Sequence, residues 1–195
     1  MPDALLAEHA DAWERATRHP FLLAVRDGTL APDAFSTWLA QDALFVADLL
    51  AFQARLLGRA PRLAQAVLAA GALALVEELD WFEELAAGGG TELGQERLPA
   101  TQAYAALLER LDEASYGVAV TALWVIERVY LLAWRNAAPG APGYRSCVEH
   151  WTSPGFAAYV DALGRLTEDA GAPGDAVAEV LALETAFWDA TGQRG

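Results

Sequence analysis

The chain of 195 residues has the length of one domain, and 54 % of its residues are hydrophobic, which excludes general disorder. Its net charge of −14 opposes binding to nucleic acid or to an anionic membrane. All thirteen basic residues are arginine, so chemistry that needs a lysine, such as Schiff-base formation, is excluded.

The single cysteine, Cys147, allows no disulfide within the chain, so a reducing compartment is expected. The start of the chain lacks the basic and apolar regions of a signal peptide, and no unbroken apolar run reaches the roughly 20 residues of a membrane span. These features predict a soluble, cytoplasmic protein.

The hydrophobic pattern predicts an all-α bundle of about eight helices that form one domain over residues 1–195. Strand-like alternation, internal repeats and low-complexity linkers are absent from the sequence. In chain order the predicted helices are Pro2–Thr17, a short helix ending at Asp27–Gly28, Asp33–Leu57, Pro61–Ala87, Pro99–Asp112, Val118–Trp134, Tyr144–Trp151, Gly155–Glu168 and a last helix after Asp175.

The predicted helix 33–57 carries an acid inside its apolar stripe. Asp42 lies four residues after Trp38 and three before Phe45, on the face that should point to the core. An acid at such a position is not a solvated surface residue. A structural hydrogen bond to a neighbouring helix is the alternative interpretation.

The predicted helix 118–134 is apolar around almost its whole circumference, which is typical of a central core helix. Glu127 shares a face with Trp124 and Tyr130. A carboxylate among aromatic rings loses hydration, so it tends to hold its proton or to be kept for a function. Alternatively, Glu127 and Arg128 only pair with groups on neighbouring helices and fix their packing.

The last predicted helix repeats this arrangement at Glu184, which lies between Leu181 and the aromatic pair Phe187 and Trp188. Three acids therefore occupy inward faces of three helices, and in a bundle such residues can converge on one pocket. Aromatic walls with carboxylates suit a flat nitrogen heterocycle, because the rings stack and the acids accept from its amino group.

Seven short motifs in order resemble the TenA family, the thiaminase-II-type aminopyrimidine hydrolases of haem-oxygenase-like helical fold. Each motif is weak alone, but the series covers nearly the whole chain. The motifs are His19-Pro20-Phe21, DGTL (27–30), WLAQD (38–42), PATQAY (99–104), LWVIERVY (123–130), HWTSPGF (150–156) and LETAFWD (183–189).

The resemblance implies salvage of the thiamin pyrimidine without a cofactor or metal, in a homo-oligomer. Counting back from Glu127 puts the family's catalytic cysteine at about Thr121, so that cysteine is missing here. The chain thus resembles the TenA-E branch, whose substrates are aminomethyl-pyrimidine and its N-formyl derivative, and thiaminase activity itself is doubtful.

Carried onto this chain, the resemblance makes Glu184 the acid/base carboxylate. Glu127 becomes a second candidate for the catalytic base, because water must replace the missing thiol as nucleophile and needs a base. Asp42 is expected to bind the amidine edge of the pyrimidine. The expected wall residues of the substrate site are Phe45, Tyr104, Trp124, Tyr130, Trp151 and Trp188.

Three other interpretations stay open. The chain could be a haem or di-metal protein of the same fold, although its three histidines are scattered and form no E-x-x-H pair. It could be a regulatory protein that binds a pyrimidine without catalysis. Cys147 and His150, spaced i, i+3, could form a nucleophilic pair, although nothing links them to the aromatic pocket.

Overall fold

The computed structural model describes residues 2–192, with side chains described for residues 4–191, and these residues form an all-α structure without strands. Residues 1 and 193–195, which the predicted domain includes, lie outside the described part. The helices are α1 (Pro2–Ala7), α2 (Ala10–Thr17), α3 (Pro20–Asp27), α4 (Pro32–Arg59), α5 (Gln65–Gly89), α6 (Pro99–Glu113), α7 (Tyr116–Asn136), α8 (Arg145–Trp151), α9 (Pro154–Asp169) and α10 (Val177–Gly192).

The predicted fold class is confirmed, and most helix limits agree with the prediction to within two residues. The helix predicted over 2–17 is divided into α1 and α2, with His9 as the N-cap of α2. The predicted stop at Gly28 is confirmed, because this residue ends α3 with a left-handed φ of 73°. Gly90 ends α5 in the same way, with a φ of 68°.

The chain divides into two compact units. Of the described residues, one unit consists of 2–30 together with Gly117–Asp189, and the other consists of Ala31–Tyr116 with 190–192. The expectation of one domain stays a prediction.

In the second unit α4 packs against both α5 and α6. One buried amide and two arginine side chains reinforce the apolar contacts of α4. The Gln53 side chain donates to the Leu68 carbonyl over 2.8 Å, and the Arg59 guanidinium donates to the Leu111 carbonyl over 2.7 Å. Arg55 pairs with Asp112 at 2.7 Å, so α4 is bound along its C-terminal half to both neighbours.

In the first unit α7 lies close to α9 at two glycines. A Cβ on Gly117 would stand 3.2 Å from the Ala170 carbonyl oxygen, and one on Gly164 would stand 3.2 Å from Nε1 of Trp124. Position 117 meets position 170 while 124 meets 164, so the two helices run antiparallel. The glycines allow this close approach because they place no side chain in the interface.

Two helices, α4 and α7, are long and apolar enough to cross a membrane by length and composition. However, 61 % of the most apolar stretch of α4 and 72 % of that of α7 is buried within the protein. Such burial is typical of core helices in a soluble protein.

Candidate active site

The predicted acids Asp42, Glu127 and Glu184 are buried, with exposed fractions of 1 %, 6 % and 4 %. Among the side chains described over residues 4–191 they are the only buried carboxylates, and no arginine is buried there. Every other acid in that range is exposed or half-buried. The interruption of an apolar stripe by an acid therefore identified the buried carboxylates from the sequence.

In the second unit, Asp42 and Phe45 lie on α4, and Tyr104 lies on the facing helix α6. The rings of Phe45 and Tyr104 are 4.6 Å apart between centroids, with an angle of 56° between their planes. Both rings are buried. Phe45 lies one helical turn after Asp42, so the ring pair adjoins the buried carboxylate along α4.

In the first unit, four helices contribute to one aromatic cluster. Tyr130 of α7 stacks with Trp188 of α10 at 6.2 Å and meets Trp151 of α8 edge-on at 5.5 Å. Trp134 stacks on Trp151 at 4.5 Å, and Phe21 of α3 stacks on Trp188 at 5.3 Å. The structure thus brings together the predicted wall residues Tyr130, Trp151 and Trp188.

The two glutamates adjoin this cluster through their own helices. Glu127 precedes Tyr130 by three residues on α7, and Glu184 precedes Trp188 by four on α10. Each carboxylate therefore lies about one turn from a ring of the stacked Tyr130–Trp188 pair. The convergence of the two glutamates and Asp42 on one substrate site, and the role of each, stay predictions.

Trp124 lies against a different neighbour from Tyr130, the other predicted wall residue of α7. Its indole packs over Gly164 of α9, and it makes none of the ring contacts that join Tyr130, Trp151 and Trp188. The helical period explains the difference, because Trp124 is six residues from Tyr130 and so points to another side of α7. Its proposed place in the substrate wall stays a prediction.

Phe21 and Trp134 belong to the cluster but were not among the predicted site residues. A signal for each was present in the sequence. Trp134 follows Tyr130 by four residues on the face of Glu127, and Phe21 completes the His19-Pro20-Phe21 motif.

Arg128 points away from its neighbour Glu127. It is half-buried and lines an open cleft of about 370 Å³ with Leu6, Trp13 and Leu132. This separation agrees with the rule that adjacent helix residues point about 100° apart.

The Cys147–His150 pair does not have the properties of a nucleophilic site. Burial raises the pKa of the Cys147 thiol to about 11, so the reactive thiolate is disfavoured at neutral pH. The His150 ring instead meets Trp151 edge-on at 5.4 Å. Burial also lowers the pKa of His150 from its ordinary 6.5.

His19 has a structural task at the start of α3. Its Nδ1 accepts a hydrogen bond from the Phe21 backbone N–H at 3.2 Å, which caps the helix. Its Nε2 therefore carries the proton and donates to the Asp189 carboxylate at 3.2 Å. Over the described residues, no group of three or more His, Cys, Asp or Glu side chains could hold a metal ion.

Comparison with known proteins gives a consistent result over nearly the whole length. The model of the TENA/THI-4/PQQC family matches residues 6–193. The "Probable bifunctional TENA-E protein" of Glycine max is 32 % identical, over 97 % of this chain and 92 % of that protein.

Solved structures agree in fold. A TenA homologue from Pyrococcus furiosus superposes with a TM-score of 0.92 at 26 % identity, over 98 % of this chain and 100 % of the other. A TenA homologue from P. horikoshii OT3 gives a TM-score of 0.90 at 19 % identity, over 99 % and 98 % of the two chains. At that lower identity the likeness establishes the fold alone.

Proposed function

The chain belongs to the TENA/THI-4/PQQC family, and we propose that it hydrolyses thiamin-derived aminopyrimidines in salvage of the thiamin pyrimidine. Family membership and the TENA-E relative support a thiamin-related hydrolase. The proposed substrates are aminomethyl-pyrimidine, its N-formyl derivative, or both.

One observation carries this proposal. The described side chains include three buried carboxylates, and all three adjoin buried aromatic residues along their helices. Burying a carboxylate costs hydration that polar partners must offset, and three such sites beside aromatic rings in one small protein are expected to serve a task. A flat aminopyrimidine with ring nitrogens and an amino group offers partners for acids between aromatic walls.

In the proposed reaction water attacks the exocyclic methylene carbon of aminomethyl-pyrimidine. One of Glu127 and Glu184 takes a proton from this water, a C–O bond forms and the C–N bond breaks. The other glutamate, or the same one in turn, gives a proton to the departing amine, so that ammonia and the hydroxymethyl-pyrimidine are the products. Asp42 binds the amidine edge and holds the ring in place.

The substitution of a threonine for the thiol supports water as the nucleophile. Thr121, at the position counted for the family's cysteine, is buried within α7 and carries an alcohol, which is a much weaker acid and nucleophile than a thiol. Cys147 is buried with a raised pKa, so it offers no replacement thiolate. Carboxylate catalysis therefore has to supply both proton transfers.

The test is direct incubation of the purified protein with free and N-formyl aminomethyl-pyrimidine, followed by mass spectrometry of the products. We expect ammonia from the free amine. From the N-formyl derivative we expect formate and aminomethyl-pyrimidine, formed when water attacks the formyl carbon and the amide C–N bond breaks. Little or no thiamin should be cleaved. Tight pyrimidine binding without any turnover would replace the hydrolase with a non-catalytic binding protein. A haem or metal absorption band in the purified protein would favour the cofactor-binding alternative.

We also propose a cytoplasmic homo-oligomer. The region around α5 exposes Leu63, Leu73 and Val76, with exposed fractions of 92 %, 60 % and 42 %. Exposed apolar side chains favour contact with another copy at this surface, because the contact would remove them from water. Light scattering of the native protein should give a multiple of the 20.8 kDa chain mass.

A further inference from the structure

The side chain of Gln41, next to the proposed pyrimidine-binding Asp42, is buried with an exposed fraction of 1 %. Its Oε1 accepts hydrogen bonds from the Leu98 backbone N–H at 2.9 Å and from the Thr101 hydroxyl at 2.7 Å. Its Nε2 donates to the Glu96 carbonyl at 2.9 Å. Both ends of the amide are thus engaged with one short segment, residues 96–101.

This segment is the start of α6. Leu98 is the N-cap residue, and its own side chain provides no cap. Thr101 lies in the first turn of the helix. A glutamine nearly sixty residues earlier in the chain therefore accepts from the N-cap N–H, the group that a Glu or Gln at N3 serves in a capping box.

Two further contacts join the loop between α5 and α6, residues 90–98, to α4, and both lie nearer the solvent than Gln41. Thr91 donates from its hydroxyl to that of Ser36 at 3.1 Å. Arg97 pairs with Asp48, and its Nη2 lies 3.0 Å from a carboxylate oxygen. The Arg97 and Asp48 side chains are 34 % and 26 % exposed, whereas Gln41 is 1 % exposed, so solvent competes less for the bonds of Gln41. We therefore expect Gln41 to have the larger influence on where α6 begins.

The position of α6 bears on the proposed substrate site. Tyr104 follows Thr101 by three residues, on the same face of α6. Phe45, which contacts Tyr104 at 4.6 Å, follows Gln41 by four residues on α4. The hydrogen bonds of Gln41 therefore lie one turn from the aromatic contact on both helices.

We propose that Gln41 is a positioning residue for pyrimidine binding: through its hydrogen bonds to residues 96–101 it holds α6 so that Tyr104 stays against Phe45 beside Asp42. This inference rests on the proposed function and deepens it. Gln41 itself neither contacts the reacting atoms nor transfers a proton. Its loss should weaken substrate binding more than the chemical step, because Glu127 and Glu184 lie on other helices.

The test compares Gln41→Met with Gln53→Met. Gln53 is also buried on α4, but it binds the Leu68 carbonyl of α5 and so provides a matched loss of a buried amide. We expect Gln41→Met to raise the KM for aminomethyl-pyrimidine about tenfold or more while kcat changes less than about threefold. Gln53→Met should keep the native KM.

Two milder variants cover the case in which Gln41→Met does not fold. Thr101→Val removes one donor to Gln41 without changing α4, and it should raise the KM by a smaller factor. Gln41→Glu keeps an acceptor for Leu98 and Thr101, so its KM should lie between those of the native protein and Gln41→Met. A native KM in Gln41→Met, or an equal rise in Gln53→Met, would overturn the proposal.

Amide hydrogen exchange separates this inference from the proposed function. Residues 98–104 should exchange faster in Gln41→Met than in Gln53→Met, whether or not the protein is active. If the native protein neither binds nor hydrolyses the pyrimidines, the hydrolase proposal fails, and exchange still decides whether Gln41 holds α6. Unchanged exchange in Gln41→Met would overturn the positioning role independently of any substrate.

Discussion

Replacing Glu127 and Glu184 by glutamine, singly and together, tests the proposed catalytic pair. Glutamine has nearly the same size as glutamate, so neither change leaves a cavity in sites that are 6 % and 4 % exposed. Loss of a carboxyl hydrogen-bonding group should then cost about 1–3 kcal/mol of stability, which leaves the fold intact. The expected loss of activity is far larger, because it removes a proton-transfer group.

Removing a general acid or base typically lowers the rate by about 10²–10⁴-fold, equivalent to roughly 3–5 kcal/mol in the barrier. If the two glutamates act in one proton-transfer sequence, the double variant should be about as slow as the slower single variant. Two independent contributions would instead multiply, to about 10⁴-fold or more.

The assay is kcat for amine release from aminomethyl-pyrimidine, with thermal unfolding of each variant as the check on folding. Glu179→Gln, an exposed position on the same helix as Glu184, is the matched control and should keep the native rate. A folded Glu127→Gln variant with full kcat would show that Glu127 is structural. The same outcome for Glu184→Gln would refute carboxylate catalysis by this pair.

Gly140→Ala should lower stability by about 1–2 kcal/mol or more, because Gly140 has a φ of 75° and a Cβ there would lie 2.8 Å from Val148. Thermal unfolding should show no such loss for the control Gly143→Ala, where the space around the added Cβ is open. Cys147→Ser should keep the native kcat. Thiol alkylation at pH 7 should not inactivate the native protein, since the pKa of the Cys147 thiol is raised to about 11. Rapid inactivation would contradict a non-catalytic Cys147. Burial lowers the pKa of His19 below 6.5, so the unfolded chain binds the proton first and stability falls as pH drops below about 6.5. His19→Asn, which can still cap α3, should show a smaller fall in unfolding temperature between pH 7 and pH 5 than the native protein, and an equal fall would be inconsistent with this cause.

Several features followed from the sequence because they depend on one helix at a time. The period of 3.6 residues is enough to place Asp42, Glu127 and Glu184 on inward faces, and the structure buries all three. The stop at Gly28 needs only the conformational freedom of glycine at one residue. The family resemblance, carried by seven short motifs, was confirmed by a family match over residues 6–193.

Other features were decided only by tertiary structure, because they join residues that the local pattern does not relate. The capping of α6 by Gln41 spans 55 to 60 residues, and no period in the sequence signals it. Trp124 and Tyr130 belong to one apolar helix, yet one packs on Gly164 and the other in the aromatic cluster. A helix that is apolar all round does not specify which neighbour covers each side, so only the packing of α7 against α9 and against α8 and α10 assigned those two aromatic residues to their places.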